Sequence, residues 1–166
     1  LKAMEYELVD YLGFKKPEER TYEAWQRHFE LGAEAELEAE HENKMYDEFE
    51  TAMITDFPEF TSPFWNMSRY ESGVHSKKID VILGGMETIG SAERSTDVEM
   101  MRDTFHTITD GEYSQLLYKL FGKERVEAEL EKFLEFDFFP RVGGGIGMTR
   151  MIAALDKLQM VAQEAA

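Results

Sequence analysis

The stretch "RVGGGIGMTR", residues 141–150, places four glycines in five positions and ends on an arginine. Apolar residues at helical spacing follow it and predict a helix from about Met148 to Val161. A glycine-rich strand that leads into a helix can be a phosphate-binding loop, a dinucleotide fingerprint or only a tight turn. The spacing of the residues around the glycines separates these possibilities.

Two well-known glycine motifs do not fit. A GxxxxGK[ST] loop needs a lysine directly after its last glycine, where this chain has Met148 after Gly147, and a GxGxxG fingerprint has Arg150 in place of its third glycine. The remaining pattern is GxGxxR. In it, Gly145 and Gly147 would let the backbone approach a flat ligand, while Arg150 would offer a planar cation to a ring or a phosphate. From these residues alone, a glycine-rich crossing with a surface arginine is an equally good interpretation.

The amino-acid composition excludes several kinds of functional site. The chain has 166 residues, no cysteine and a net charge of -16, with the acidic residues concentrated in the first fifty positions. Disulfides, a thiolate nucleophile and Cys-ligated zinc are therefore excluded, and a polyanion would need a local basic patch. No apolar run approaches the roughly 20 residues that span a bilayer, and "LKAMEYELVD" lacks the pattern of a signal peptide. We therefore expect a cytoplasmic protein with no membrane contact.

The order of periodic segments predicts an α+β fold, with an antiparallel sheet flanked by helices. Predicted helices cover 3–12, Thr21 to Leu31, 34–49, a segment from Thr96 with Glu99 completing a capping box, 111–121 and 123–136. Predicted strands are "TAMITDF" (51–57), "PFWNM" (63–67), "KKIDVIL" (77–83), "METIGSAERS" (86–95) and the glycine-rich stretch itself. The polar segment "KKPEER" is predicted to be a turn, and Met100, Met101 and Phe105 are assigned to the core.

Four stretches together resemble the catalytic domain of class II aminoacyl-tRNA synthetases, in the aspartate and asparagine subgroup. "GIGMTR" (145–150) resembles motif 3, and "MITDFPEFTSPFWNM" (53–67) resembles the acidic-aromatic-Pro and Pro-Phe-aromatic segment of the subgroup. "KIDVILGGMETIGSAERS" (78–95) resembles its Asp-Leu-Val-Leu strand with a glutamate and an arginine seven residues apart, and "LGAEAELEAEHE" (31–42) its Leu-Gly-x-x-x-Glu stretch. The four landmarks occur in the family's order.

The resemblance is to the C-terminal half of the catalytic domain only. Motif 1, which builds the dimer, and motif 2, whose arginine binds the α-phosphate, are not visible in residues 1–166, whereas motif 3 covers 140–158. We therefore expect this chain to begin just after motif 2, to be incomplete as an enzyme by itself, and to belong to a homodimer when complete.

For ATP binding, the resemblance implies roles at four positions. Arg150 would lie on the adenine or reach the γ-phosphate, Gly145 and Gly147 would line the nucleotide, and Glu87 would bind Mg²⁺. Arg150 and Glu87 are thus the implied catalytic residues. Glu87 is expected to be buried, where an unpaired carboxylate is destabilising, although an ordinary strand-edge glutamate is the alternative. Asp80 is interpreted as a structural acid at a strand end.

For amino-acid binding, the resemblance implies that Arg94 pairs with the substrate side chain and that Trp65 forms a wall of the pocket. The alternatives are an ion pair of Arg94 with Glu93 or Asp97, and a plain core position for Trp65.

The implied activity is ATP-dependent activation of aspartate or asparagine as an aminoacyl adenylate, used to charge a tRNA that would bind regions outside this chain. Arg141 and Val142 stand where a His-Gly pair is usual, and with Trp65 and Glu93 they resemble instead the stand-alone asparagine synthetases, which release free asparagine. Gly90 occupies a position that is serine in some relatives. A non-catalytic paralogue that acts as an interaction module is the alternative from another class.

Overall fold

The structure is a computed structural model that describes residues 2–158. The helices are α1 (Lys2–Tyr6, continued by a π-helical turn Glu7–Tyr11), α2 (Tyr22–His28), α3 (Ala39–Phe49), α4 (Val98–Thr107), α5 (Glu112–Phe121), α6 (Lys123–Leu134) and α7 (Met148–Lys157). The strands are β1 (Glu18–Thr21), β2 (Thr51–Pro58), β3 (His75–Leu83), β4 (Met86–Arg94) and β5 (Arg141–Ile146). Short 3₁₀ turns cover Glu59–Thr61 and Ile108–Gly111.

The strands form one mostly antiparallel sheet in the order β1-β2-β3-β4-β5, with helices at its flanks. The predicted α+β class is therefore confirmed. Strand β1 is the exception to the antiparallel pattern, because it pairs parallel with β2 in a register that sets Glu18 opposite Ala52. The polar turn predicted over "KKPEER" is thus wrong for its last residues, where the four-residue strand "EERT" lies at the sheet edge and lacks an alternating apolar pattern.

Two local predictions, a strand at 63–67 and the first residue of the capping box before α4, are wrong. "PFWNM" is a turn rather than a strand, and only Met67 forms an isolated bridge, to Arg94. The N-cap of α4 is Asp97 rather than Thr96, because an Asp97 side-chain oxygen accepts the Met100 N–H at 2.9 Å. By contrast Thr21 caps α2 as predicted, with its hydroxyl accepting the Ala24 N–H at 3.2 Å.

The described residues divide into two compact units. Unit 1 comprises 2–57, 78–91 and 144–158, and unit 2 comprises 58–77 and 92–143. The core of unit 1 contains Leu8, Phe14, Met53, Val81, Leu83, Ile89 and Ala154. The core of unit 2 contains Trp65, Met101, Phe105, Val126, Leu130 and Leu134. The core assignment of Met101 and Phe105 is confirmed, and Met100 packs against the same cluster while partly exposed.

Within unit 1, two neighbouring glycines of β5 meet very different surroundings. A Cβ at Gly144 would lie 2.8 Å from the Ser91 Cβ and 2.9 Å from the Gly90 carbonyl oxygen, whereas a Cβ at Gly145 would meet nothing within 4 Å. Neither glycine has a positive φ. The absence of a side chain at residue 144 therefore allows β5 to approach β4 closely, and the sheet does not require glycine at residue 145.

This contrast predicts the stability of two alanine variants. Gly144→Ala should lower the free energy of unfolding by about 1–3 kcal/mol, because the backbone must shift to admit the methyl group. Gly145→Ala should change it by less than about 0.5 kcal/mol, as is usual for an exposed position. Urea unfolding followed by tryptophan fluorescence measures both variants, and equal effects would contradict the close approach of β5 to β4.

Candidate active site

In unit 1, Arg150 is fixed beside strand β4. The Gly147 N–H donates to the Thr88 carbonyl oxygen at 2.8 Å, which attaches the first residue before α7 to β4. One turn into α7, the Nη1 of Arg150 donates to the Glu87 carbonyl oxygen at 2.7 Å. The structure thus brings Arg150 and Glu87 together through the Glu87 backbone, while the arginine side chain stays exposed and its remaining donors are open to solvent.

Glu87 is less buried than the sequence predicted. Its side chain is partly exposed near the start of β4, next to Met86, which is 37% exposed, so the prediction of a buried carboxylate is wrong. Its backbone N–H donates to the Glu42 Oε2 at 2.8 Å. Burial raises the pKa of Glu42, opposed by that hydrogen bond, while the charge of Glu87 raises it further and Arg150 and Lys78 lower it.

The buried carboxylate of unit 1 is Asp80, in the middle of β3. Asp80 is 4% exposed, and its Oδ2 accepts from the Lys78 Nζ at 2.5 Å. Its Oδ1 has no hydrogen-bond partner among residues 2–158. Burial raises the pKa of Asp80 to about 6, against the opposing effect of Lys78, and the charges of Glu87 and Glu42 add to the rise. An unpartnered buried oxygen is destabilising for the fold, so this position is unusual for a purely structural acid.

Because Gly90 has no side chain, a small space remains that the carboxylates of Glu87 and Asp80 both face. A Cβ at residue 90 would lie 2.8 Å from the Glu87 Oε1 and 3.4 Å from the Asp80 Oδ1. Two carboxylate oxygens therefore face the same small space beside β4. Magnesium is commonly held by one or two carboxylates together with substrate phosphates, so the donor set suits that ion. In the part of the chain that the structure describes, no three acidic, His or Cys side chains form a metal site.

The burial of Asp80 predicts a pH-dependent stability. Its pKa rises from an ordinary 3.8 to about 6 on folding, so between these values the folded state binds more protons than the unfolded state. Stability therefore falls as the pH rises through this window. Asp80→Asn removes the ionisation, and at pH 7 it should raise the free energy of unfolding by up to about 3 kcal/mol. The gain should be smaller at pH 5.

Urea unfolding of the chelator-treated protein at the two pH values tests this expectation. Asp137→Asn, at an exposed aspartate of unit 2, is the matched control and should show no such gain. A variant that is less stable than the parent at pH 7 would mean that the Lys78 pair outweighs the burial of Asp80.

In unit 2, Arg94 is held by two acceptors. Its Nη1 donates to the Asn66 Oδ1 and its Nη2 to the Gly143 carbonyl oxygen, each at 3.2 Å. A Cβ at Gly143 would lie 2.7 Å from the Arg94 Nε, so the guanidinium occupies the space that this glycine leaves. The alternative ion pairs are not formed, because Glu93 binds the Lys77 Nζ at 2.9 Å and Asp97 caps α4.

Trp65 lies in the core of unit 2. It is 8% exposed, and its ring makes edge-on contacts with Phe105 and Phe133 at centroid distances of 5.4 and 5.5 Å. It also lines an apolar cavity of about 260 Å³ that α5 and α6 border. The core interpretation therefore describes its packing, and its role as a wall of an amino-acid pocket stays a prediction.

Three residues of these sites were missed by the sequence analysis as functional candidates: Glu42, Asn66 and Asp80. Asp80 had a usable signal, since it stands between Ile79 and Val81 in a run that is otherwise apolar. Glu42 and Asn66 had none, because their contacts depend on how distant segments align.

The sequence matches the family described as tRNA synthetases class II (D, K and N) over residues 2–165. A comparison with curated proteins finds no match. Among solved structures, asparaginyl-tRNA synthetase from Pyrococcus horikoshii is similar with a TM-score of 0.65 and 17% identity, over 86% of this chain and 33% of that one. Aspartyl-tRNA synthetase from Entamoeba histolytica gives 0.63 and 17%, over 86% and 30%. The asparaginyl-tRNA synthetase of the same organism, in complex with asparaginyl-adenylate, gives 0.61 and 15%, over 98% and 36%.

At these identities the structural similarity shows the fold, and the chain spans about a third of the length of the solved chains that it matches. No helix within residues 2–158 has the length and hydropathy needed to cross a membrane. The family match covers nearly all of the sequence and agrees with the sheet and the flanking helices described above. The chain therefore belongs to the class II tRNA synthetases of the aspartate, lysine and asparagine group.

Proposed function

We propose that the full-length protein is an ATP-dependent ligase that activates aspartate or asparagine as an aminoacyl adenylate and then charges a tRNA. The observation that carries this proposal is the attachment of Arg150 to the Glu87 carbonyl oxygen, in the unit that also holds the two carboxylates facing Gly90. In a chain of net charge -16, such a fixed and exposed arginine is a suitable local contact for a polyanion.

In the proposed reaction, a carboxylate oxygen of the amino acid attacks the α-phosphorus of ATP. A P–O bond forms, the bond from the α-phosphorus to the bridging oxygen breaks, and pyrophosphate leaves with the electron pair. Such chemistry depends mainly on positioning and on neutralising charge. Arg150 would supply a cation to a phosphate or a flat face to the adenine, and the open surface at Gly145, next to Gly147, would admit the nucleotide.

We propose that Glu87 and Asp80 hold Mg²⁺ when ATP is bound. The buried Oδ1 of Asp80 is unpartnered among the described residues, and both carboxylates border the space left by Gly90. Magnesium bound there would neutralise phosphate charge. Lys78 already partly compensates the charge of Asp80 through its ion pair, and it keeps the carboxylate oriented before any ligand arrives.

We propose that Arg94 binds the side chain of the amino acid and that Trp65 supports that pocket. Arg94 uses two N–H groups on Asn66 and Gly143, which leaves three of its five donors for a substrate carboxylate or amide oxygen. Trp65 precedes Asn66 directly in the chain and is locked by aromatic packing, so it would give the adjoining segment a rigid base.

Pyrophosphate exchange tests the activity directly. The full-length protein should incorporate labelled pyrophosphate into ATP in the presence of aspartate or asparagine, and much less with the other amino acids. Absence of exchange with every amino acid would contradict the proposal and favour the non-catalytic interaction module.

We further propose that the full-length protein is a homodimer, which sedimentation measures, and that tRNA binds regions outside this chain.

Free asparagine synthesis is a second candidate, favoured by the departures from the usual sequence at Trp65, Glu93, Arg141 and Val142. Both candidates begin with an adenylate, so exchange alone does not separate them. A synthetase transfers labelled amino acid to tRNA, whereas an asparagine synthetase converts aspartate, ATP and ammonia into free asparagine. Chromatography of the labelled product decides between the two.

A further inference from the structure

The side chain of Asn66 is oriented toward Arg94 by necessity. A guanidinium has only donors, so the Asn66 atom that lies 3.2 Å from the Arg94 Nη1 must be the amide oxygen. The contact is therefore a directed hydrogen bond from Arg94 to Asn66. Together with the bond from Arg94 to the Gly143 carbonyl oxygen, it fixes the guanidinium at both of its terminal nitrogens.

Asn66 is itself held in place by the backbone. Its carbonyl oxygen accepts the Ser95 N–H at 2.9 Å, and two residues later the Ser68 N–H donates to the Glu93 carbonyl oxygen at 2.8 Å. Between them Met67 forms a bridge with Arg94. This short backbone pairing runs beside the end of β4, so the position of Asn66 relative to Arg94 is set by main-chain hydrogen bonds on both sides of it.

We propose that Asn66 is a positioning residue that orients Arg94 to recognise the side chain of the amino-acid substrate, an inference that rests on the proposed function. An arginine side chain has many rotamers, and recognition of a carboxylate requires its planar fork to be in one of them. Asn66 selects that orientation with a neutral acceptor, which leaves the positive charge of Arg94 free for the substrate. An acidic residue at this position would neutralise that charge.

The proposal predicts a graded effect on the KM for the amino acid, measured by pyrophosphate exchange in the full-length protein. Asn66→Ala removes one of the two fixed contacts and should raise that KM about tenfold. Asn66→Asp pairs with Arg94 and should raise the KM for aspartate by about 30-fold or more, and that for asparagine less, since only aspartate is repelled by the new charge. The KM for ATP and kcat should stay within about threefold of the parent values.

Two further variants separate positioning from a general structural role. In an Arg94→Ala background, Asn66→Ala should add less than about twofold, because a residue that acts through Arg94 has nothing left to orient. Asn43→Asp makes the same chemical change at an exposed asparagine of α3 and should leave the KM for aspartate unchanged. Thermal unfolding of each variant checks that the fold is retained.

The outcomes are distinguishable. If the parent protein exchanges pyrophosphate but the Asn66 variants leave the amino-acid KM within about twofold, or if the Asn66 and Arg94 effects multiply, the positioning role is overturned and the proposed function stands. If the parent shows no amino-acid-dependent exchange at all, the proposed function and this inference both fail. A selective rise in the amino-acid KM that disappears in the Arg94→Ala background supports the inference.

Discussion

Arg150→Ala in the full-length protein should lower the rate of ATP-dependent amino-acid activation by about 10²-fold or more. This is the magnitude observed when one pre-positioned charge contact to a transition state is removed. Arg150 lies in a fixed position, because its Nη1 donates to the Glu87 carbonyl oxygen at 2.7 Å while the rest of the guanidinium is exposed. The loss should therefore appear in kcat/KM for ATP, as measured by pyrophosphate exchange.

Arg150→Lys should not restore the activity. Lysine keeps the charge but lacks the planar group that can bond to the Glu87 carbonyl oxygen and face a nucleotide at the same time. Arg125→Ala is the matched control, since Arg125 is an exposed helical arginine in unit 2 whose Nε donates to the Glu129 Oε1 at 2.8 Å. Activity of Arg150→Ala within threefold of the parent would reduce Arg150 to a surface residue and the glycine stretch to a turn.

The glycines around Arg150 have separate roles, which their spacing alone did not reveal. Gly143 leaves room for the Arg94 guanidinium, Gly144 allows β5 to approach β4, and Gly147 precedes α7 with its N–H bonded to β4. Of these four glycines, only Gly145 is a position where an added Cβ would meet open space. The sequence pattern GxGxxR suggested a ligand contact at Gly145 and Gly147. The structure shows in addition that the fold requires the two preceding glycines, Gly143 and Gly144.

Much of the fold was predictable because it rests on local patterns. The apolar runs of β2 and β3 and the helical periodicity of α4 to α6 are contained in segments of about ten residues, so the sequence located them closely. Strand β1 was not predictable in this way, since "EERT" has no apolar alternation and becomes a strand only by pairing with β2. The start of α3 at Ala39, five residues later than predicted, likewise depends on the capping exchange between Glu38 and His41.

The candidate sites were predictable only in part, for a related reason. Arg150, Glu87 and Arg94 stand at fixed positions in motifs, so a family resemblance found them. The burial of Asp80 and the contact of Asn66 with Arg94 arise from the alignment of segments that are distant in sequence. Residue spacing carries no information on such contacts, so a three-dimensional structure is needed to identify them.

Arg94→Ala should raise the KM for the amino acid steeply while barely changing that for ATP. The variant leaves the substrate side chain, the Asn66 Oδ1 and the Gly143 carbonyl oxygen without their donor. Removing one partner of a charge-assisted contact typically costs about 2–5 kcal/mol, or a KM increase of about 30-fold and more. Arg94→Lys keeps the charge and loses the bidentate geometry, so it should recover only part of the loss.

Arg150→Ala and Arg94→Ala serve as controls for each other. Arg150→Ala is expected to lower kcat/KM for ATP, whereas Arg94→Ala is expected to raise the KM for the amino acid. Isothermal titration of both ligands against the parent, Arg94→Ala and Arg94→Lys separates the effects without relying on turnover. A joint weakening of ATP and amino-acid binding, or no change in either, would make Arg94 a structural residue that only fills the space beside Gly143. A selective loss of amino-acid binding, with ATP binding retained, would identify Arg94 as the residue that binds the substrate side chain.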